Sequence, residues 1–174
     1  MQEVIDLAKY IRSIPDFPKE GILFRDITTL LNNKEAFINS IDQLASLIKD
    51  KQIDYIVAAE SRGFIFGGAL CCKLNCGFVP VRKPGKLPGK TFQHTYSLEY
   101  GQDTLEIHQD AFPSNSNILI LDDLLATGGT ALAQIKLAEK LRGKIVGVMF
   151  LIELTALGGK EKIKDYPVYS LIKY

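Results

Sequence analysis

The chain has 174 residues, of which 47% are apolar and 24% are charged, a composition typical of one soluble globular domain. Its 21 basic and 20 acidic residues give a net charge of +1, so no overall basic field favours nucleic acid or a membrane surface. The longest apolar run, residues 145–152, is too short to span a bilayer, and the first ten residues lack a signal-peptide core. We therefore expect a cytoplasmic protein with one domain over residues 1–174 and no nucleic-acid or membrane partner.

The first part of the chain begins with two helical patterns and then alternates strands and helices. Apolar spacing predicts helices over residues 4–14 and 37–48, then a strand over 55–59, a helix over 64–74 and a strand over 77–81. A loop rich in Pro and Gly follows at 83–90, and residues 95–100 and 104–109 alternate like two strands joined by a turn at 101–103.

The second part of the chain continues the same alternation. A strand is predicted over 118–121, a helix over 131–141, and strands over 145–151 and 168–172. This order predicts an α/β fold with a mainly parallel central sheet flanked by helices on both faces. Residues 1–30 and the hairpin are interpreted as additions around that core.

The most informative segment is residues 118–130, with the sequence ILILDDLLATGGT. A strand ending in Asp122 and Asp123 leads through a glycine turn into a helix, an arrangement whose free backbone N–H groups suit an anion. The two carboxylates do not suit that anion but suit hydroxyl groups or a metal ion. A phosphate, vicinal hydroxyls and Mg²⁺ close together describe a ribose 5-phosphate.

Two basic segments are less specific. Ser61-Arg62-Gly63 lies between a predicted strand and helix, where Arg62 suits phosphate oxygens, although a capping Ser with a surface Arg explains it equally well. Residues 82–90 carry four basic side chains, which indicate either a solvated loop or a mobile lid. The segment is not a P-loop, because Pro84 stands where that motif needs Gly and a strand pattern follows it. His94 and His108 have no triad or metal context and are interpreted as non-catalytic.

Six segments together carry a family resemblance: residues 16–27, 60–64, 82–89, 96–101, 105–108 and 118–130. Residues 118–130 resemble the phosphoribosyl pyrophosphate (PRPP) signature of the type I phosphoribosyltransferases. The wider chain is similar to the adenine phosphoribosyltransferases, with all six segments in the family's order. The resemblance implies the type I fold with an N-terminal hood at 1–30, a mobile loop and hairpin lid at 83–110, and the formation of AMP and pyrophosphate from adenine and PRPP in purine salvage.

The resemblance also implies residue roles. The 5′-phosphate is expected at Ala126, Thr127, Gly128, Gly129 and Thr130, and the ribose at Asp122 and Asp123. Pyrophosphate is expected at Arg62, Arg82, Lys83 and Lys86. Adenine is expected at Leu23, Phe24, Arg25 and Leu154. Glu99 is the expected catalytic acid/base for the purine proton, brought in by a closing lid.

The implied cofactor is Mg²⁺, held mainly by substrate oxygens near Asp122 and Asp123, with no protein ligand set identified. The implied assembly is a homodimer, because Lys83 and Lys86 act partly across a subunit interface in the family. Two alternatives remain open. One is a phosphoribosyltransferase for 6-oxopurines; the other is a non-catalytic regulator of the same fold that senses PRPP or purines.

Overall fold

The computed structural model describes residues 4–98 and 101–174, and the elements below are those of this described part. The strands are β1 (Arg12–Ile14), β2 (Phe24–Asp26), β3 (Tyr55–Ala59), β4 (Gly77–Val81), β5 (Thr91–Leu98), β6 (Gly101–His108), β7 (Asn117–Leu125), β8 (Lys144–Glu153) and β9 (Val168–Lys173). The α-helices are α1 (Thr28–Leu31), α2 (Lys34–Leu47), α3 (Arg62–Leu74) and α4 (Gly129–Lys140). None of these helices combines the length and the apolar content that crossing a bilayer requires.

The central sheet contains five strands in the order β4-β3-β7-β8-β9, and every neighbouring pair is parallel. These strands are rich in Val, Ile and Leu because both of their faces are covered. On one face, Ile56, Leu119 and Met149 pack in a core that includes side chains of α2 and α3. On the other, Val57, Ile120 and Phe150 pack with residues of α4 and β6. This architecture confirms the predicted parallel sheet between two helical layers.

The direction in which successive strands are added to the sheet reverses between the parallel strands β3 and β7. From β3 the chain crosses through α3 to β4, and from β7 it crosses through α4 to β8 on the opposite side. The carboxyl ends of β3 and β7 therefore lie side by side with their following loops diverging. In open α/β sheets this is the place where ligands bind.

The strand predicted at 118–121 is longer than expected, because β7 continues to Leu125. Its partner β8 also continues, and Asp122 pairs with Phe150 while Leu125 pairs with Glu153. The prediction that the strand stops before the two aspartates was wrong. The partner strand keeps the backbone extended through two residues that have low strand propensity.

The helix predicted over residues 4–14 was also wrong. A 3₁₀ turn covers only Leu7–Tyr10, after which Arg12–Ile14 forms β1 and pairs antiparallel with β2. The pairing is supported by an ion pair between Arg12 and Asp26. A partner from residues 24–26 therefore overrides a local helical pattern, which no reading of residues 4–14 alone could detect.

The hairpin was predicted in the correct region but in the wrong register. Gly101, Gln102 and Asp103 were expected to form the turn, yet they belong to β6 and pair with Leu98, Ser97 and Tyr96. β5 also begins at Thr91, four residues before the predicted start. Residues 101–103 are Gly, Gln and Asp, a stretch with no hydrophobic alternation to mark it as strand.

Asp26 gives the hood a pH-dependent stability. Its carboxylate accepts hydrogen bonds from the Thr28 N–H and hydroxyl at 2.9 and 2.7 Å and from Arg12 Nε at 3.0 Å. These contacts lower the pKa of Asp26 to about 2, with the Thr28 N–H as the largest cause. Because the folded pKa lies below the unfolded one, this stabilisation is present above about pH 4 and lost as pH falls towards 2.

We expect Asp26→Asn to lower the free energy of unfolding by about 2 kcal/mol at pH 7, as urea denaturation would measure. The difference from wild type should shrink as the pH falls from 4 to 2. The control Asp110→Asn, at an exposed carboxylate after β6, should change stability by less than about 0.5 kcal/mol. A gap between wild type and Asp26→Asn that is the same at every pH would contradict the assignment.

Candidate active site

A cavity of about 280 Å³ lies where the carboxyl ends of β3 and β7 meet. Glu60, Ser61 and Arg62 line it from the end of β3, and residues 122–131 line it from β7 and the start of α4. Lys83 comes from the loop after β4, and Tyr96, Asp103 and Leu105 come from the hairpin. The cavity therefore collects the acidic pair, the glycine turn and two of the predicted cations.

The glycine turn is held tightly against a second glycine pair. Gly128 has φ +79°, and a Cβ placed there would lie only 2.4 Å from the Gly159 carbonyl oxygen. In turn, a Cβ on Gly159 would lie 2.2 Å from the Ala126 carbonyl oxygen. α4 begins directly after this turn at Gly129, so its first N–H groups have no partner within the helix. The turn thus presents N–H groups without helical partners, and its shape depends on Gly128 and Gly159.

The two aspartates lie beside the turn, where burial disfavours the charged form of both. Asp122 Oδ1 accepts a hydrogen bond from the Asp123 N–H at 2.9 Å, and Asp122 Oδ2 is 3.4 Å from Gln134 Nε2. Loss of solvation and the charge of Asp123 raise the pKa of Asp122 well above its usual range. Loss of solvation also raises the pKa of Asp123, although the Arg62 guanidinium opposes that rise. Such a pair favours a ligand that brings hydroxyl donors or positive charge.

Arg62 joins this cavity to a second one. Its Nε lies 2.9 Å from Asp123 Oδ2, and its guanidinium lies 5.6 Å from the centre of the Phe24 ring. Arg62 and Phe24 both line an apolar cavity of about 530 Å³ beneath the β1–β2 hood. Phe17 packs edge-on against Phe24 there, with ring centres 5.1 Å apart. A flat apolar ligand in this second cavity would lie next to whatever occupies the first.

Comparison with known proteins decides the family. A family model described as a phosphoribosyl transferase domain matches residues 26–173. An adenine phosphoribosyltransferase of Brachyspira hyodysenteriae is 61% identical over 170 residues, which is 98% of this chain and 100% of that protein. The chain belongs to the adenine phosphoribosyltransferase family.

Solved structures of the family agree with this fold. The enzyme of Thermoanaerobacter pseudethanolicus superposes with a TM-score of 0.94 at 51% identity, covering 97% of this chain and 98% of that one. The Saccharomyces cerevisiae enzyme, solved with adenine and an imino-altritol bisphosphate, gives 0.89 at 44% identity, covering 94% and 95%. The Trypanosoma brucei enzyme, solved with AMP, pyrophosphate and ribose 5-phosphate, gives 0.87 at 26% identity, covering 96% and 77%.

The residues expected to bind pyrophosphate in this family lie in two groups. Arg62 and Lys83 line the first cavity, and Lys83 Nζ is 3.3 Å from Asp103 Oδ2. Arg82 and Lys86 line neither cavity. Arg82 instead donates to Glu60 Oε2 at 2.9 Å, and Glu60 Oε1 also accepts the Lys83 N–H at 2.6 Å. Glu60 thus anchors the start of the basic loop.

The residues expected to bind adenine are also divided. Only Phe24 lines the apolar cavity, while Leu23 is 48% exposed and the Arg25 guanidinium stacks on the Tyr174 ring. Leu154 directly follows β8, and its N–H donates to the Leu125 carbonyl at 2.9 Å. Glu99, the expected acid/base, lies outside the described residues. Tyr96, three residues before it, has its hydroxyl 3.3 Å from Thr130 Oγ1 at the glycine turn.

Sequence reasoning missed four residues that shape the site: Glu60 as a loop anchor, Asp103, Gln134 and Gly159. The first three are polar residues that contact site residues distant in the sequence. Gly158-Gly159 was the one readable signal, because paired glycines mark a place where backbones approach closely.

Proposed function

We propose that the protein transfers the 5-phosphoribosyl group of PRPP to adenine, releasing AMP and pyrophosphate for purine salvage. The observation that carries this proposal is the single cavity in which the Asp122–Asp123 pair faces the glycine turn at the start of α4. The names of the most similar relatives support the same reaction. Residues 1–174 would form a single domain.

The ribose 5-phosphate would occupy the first cavity. Residues 126–130 would bind the phosphate through backbone N–H groups and the hydroxyls of Thr127 and Thr130. Asp122 and Asp123 would accept hydrogen bonds from the ribose hydroxyls, which would satisfy carboxylates that are desolvated without a ligand.

Pyrophosphate would lie beside Arg62 and Lys83. Both side chains are paired with carboxylates, Asp123 and Asp103, and both would exchange those partners for phosphate oxygens. Lys86 and Arg82 are proposed as further contacts after the loop at 83–90 moves. Lys86 is exposed, so its side chain is free to reach the pyrophosphate. Arg82 would first have to break its ion pair with Glu60.

Adenine would stack on Phe24, with Leu154 on its other face. The backbone at Leu23 and Arg25 would read the purine edge. Replacing the 6-amino group by a 6-oxo group exchanges a donor for an acceptor and leaves buried partners unpaired, so this mode of recognition separates the two purine classes.

The residues present fit Mg²⁺ bound chiefly by the substrate. Four carboxylates line the cavity, those of Glu60, Asp103, Asp122 and Asp123, yet within residues 4–98 and 101–174 no three His, Cys, Asp or Glu side chains form a protein metal site. Asp122 and Asp123 would therefore lie next to an ion held by PRPP oxygens. When bound, Mg²⁺ supplies charge neutralisation to the leaving pyrophosphate.

The chain's own residues would then act on a transition state with positive charge on the ribose and negative charge on the leaving group. Asp122 and Asp123 stabilise the sugar, while Arg62 and Lys83 stabilise the pyrophosphate oxygens. The hairpin excludes water, which limits hydrolysis of PRPP. Glu99 handles the proton of the purine imidazole ring.

A homodimer in the cytoplasm completes the proposal, with Lys83 and Lys86 acting partly across the subunit interface. An apolar surface is exposed around the hood in the single chain. It includes Phe17, Leu23 and Ile65, which are 51%, 48% and 41% exposed, respectively. Sedimentation of the purified protein at micromolar concentration would test this, since a monomer would contradict the shared arrangement.

The reaction is tested by incubating the protein with PRPP, adenine and Mg²⁺ and separating the products. AMP and pyrophosphate should appear in equal amounts, and omission of any one reactant or addition of EDTA should stop both. Pyrophosphate release without AMP would contradict base transfer, because it would indicate simple hydrolysis of PRPP.

Asp122 provides a prediction about both stability and binding. Its raised pKa means that its charge opposes folding at neutral pH, and Asn there keeps the acceptor for the Asp123 N–H. Gln134, whose Oε1 is buried without a partner, can rotate its amide to accept from the new Asn. We expect Asp122→Asn to raise the melting temperature without ligand and to weaken PRPP binding by about 1.5–3 kcal/mol. Scanning calorimetry without ligand measures the melting temperature, and titration calorimetry measures PRPP binding. Unchanged PRPP affinity would contradict the role of Asp122.

A further inference from the structure

We propose that Tyr174 is a positioning residue for the base: its ring fixes the hood relative to the segment that carries Leu154. This inference rests on the proposed adenine site. It concerns a residue outside both cavities, which would act through Arg25 and residues 153–155 without touching the substrate.

Tyr174 is firmly attached to the end of β8. Its N–H donates to the Glu153 carbonyl at 3.0 Å. Its own carbonyl accepts the Thr155 N–H at 2.8 Å and the Thr155 hydroxyl at 2.6 Å. The two residues on either side of Leu154 are therefore bonded to the Tyr174 backbone.

The ring of Tyr174 contacts the hood. The Arg25 guanidinium carbon lies 3.6 Å from the centre of this ring, close enough for a stacked cation–π contact. Arg25 Nη1 also donates to Ser13 Oγ at 2.6 Å, so the same guanidinium connects both hood strands. The neighbouring residue Phe24 lines the apolar cavity.

The two hood strands depend on such side-chain contacts because, within the described residues, their backbones form a ladder only with each other. β1 and β2 form a separate two-stranded sheet that shares no strand with the central sheet. Beyond the Tyr174 stack, the hood is attached by Arg62 over Phe24 and by Leu7, Ile11 and Ile27, which are buried in the core on one face of the central sheet. The Tyr174 stack joins Arg25 of the hood to a residue that is hydrogen-bonded to Glu153 and Thr155.

Tyr174 therefore connects the two segments proposed to enclose the purine, residues 23–25 on one side and Leu154 on the other. Without the ring, the distance between these two segments would vary. Adenine binding would then have to fix that distance, which would weaken the binding. The ribose and phosphate site at residues 122–130 is joined to residues 153–154 by backbone hydrogen bonds between β7 and β8, which loss of the ring leaves in place. The predicted signature is a change in the KM for adenine with the KM for PRPP unchanged.

The test compares Tyr174→Ala with Tyr174→Phe, which keeps the ring and removes only the hydroxyl. We expect Tyr174→Ala to raise the KM for adenine about two- to fivefold and Tyr174→Phe to restore the wild-type value. Arg25→Ala should have the same effect as Tyr174→Ala, and the double variant should be no worse than either. Equal rises in the KM for adenine and PRPP, or additive effects in the double variant, would overturn the proposal.

A second measurement does not require activity. Backbone hydrogen exchange at residues 23–26 and 153–155 should be faster in Tyr174→Ala than in Tyr174→Phe, while exchange in α4 stays the same. Unchanged exchange in both segments would overturn the connection. Failure of the wild-type protein to use adenine would instead overturn the proposed function, and this exchange experiment would still decide the role of Tyr174.

Discussion

Replacing Gly128 with alanine is expected to lower kcat/KM for PRPP by about 100-fold while leaving the central sheet folded. The new Cβ would lie 2.4 Å from the Gly159 carbonyl oxygen, against 3.4 Å for ordinary contact, so the two backbones would have to separate by about 1 Å. The φ of +79° adds strain for any residue other than glycine. Because the turn supplies the N–H groups of the phosphate site, a shift of that size misplaces them together.

Gly68→Ala is the matched control for this change. Gly68 lies within α3, and a Cβ there meets nothing within 4 Å, so alanine should preserve activity and stabilise the helix by about 0.5–1 kcal/mol. Steady-state kinetics and circular dichroism of both variants separate loss of the site from loss of the fold. If Gly128→Ala keeps PRPP kinetics within threefold of wild type, the turn is not the phosphate site.

Glu99→Gln is expected to lower kcat between about 10²- and 10⁴-fold, the usual contribution of a positioned acid or base. Glutamine keeps the size and the hydrogen-bonding ability of the side chain but cannot exchange a proton. Glu99 itself lies outside the described residues, and the resemblance supplies its role. Support comes from Tyr96, three residues earlier in the sequence, whose hydroxyl lies 3.3 Å from Thr130 Oγ1.

The control for Glu99→Gln is the same substitution at Glu161, an exposed residue of the 3₁₀ turn Gly159–Ile163 that lines neither cavity. Glu161→Gln should leave kcat unchanged. The pH dependence of kcat should lose one limb in Glu99→Gln if that carboxyl is the titrating acid or base. A fall of less than about tenfold would argue that another group or water handles the purine proton.

The central sheet was predictable from the sequence because its information is local. β3 and β4 match their predicted bounds, and α3 and α4 begin only two residues before theirs. Buried parallel strands are continuous aliphatic runs, and each is separated from the next by one amphipathic helix. Both signals can be read within a window of about ten residues.

The hood was not predictable because its structure depends on residues far apart in the chain. Residues 4–14 have helical spacing, yet Arg12 and Ile14 become strand by pairing with Asp26 and Phe24. Likewise, nothing near Tyr174 indicates that it stacks on Arg25, since about 150 residues separate them in the sequence.

The same contrast between local sequence patterns and distant contacts applies to the candidate site. Residues 122–130 carry their chemistry in one continuous segment, so the anion turn and the acidic pair were predicted from local sequence. Arg82, Lys83 and Lys86 are all basic residues of one loop, and of these three only Lys83 lines the cavity. Arg82 forms an ion pair with Glu60 at the base of the loop instead. Charge along a loop does not reveal which side chain already has a partner.

The most direct test of the proposed reaction is a competition among bases at equal concentration. The purified protein would receive PRPP, Mg²⁺, adenine, hypoxanthine and guanine together, and the nucleotides formed would be separated and quantified. Our account predicts AMP as the product, with IMP and GMP absent or minor. IMP or GMP as the main product would contradict the proposed reading of the purine edge at residues 23–25, and no nucleotide despite PRPP binding would instead support a non-catalytic sensor.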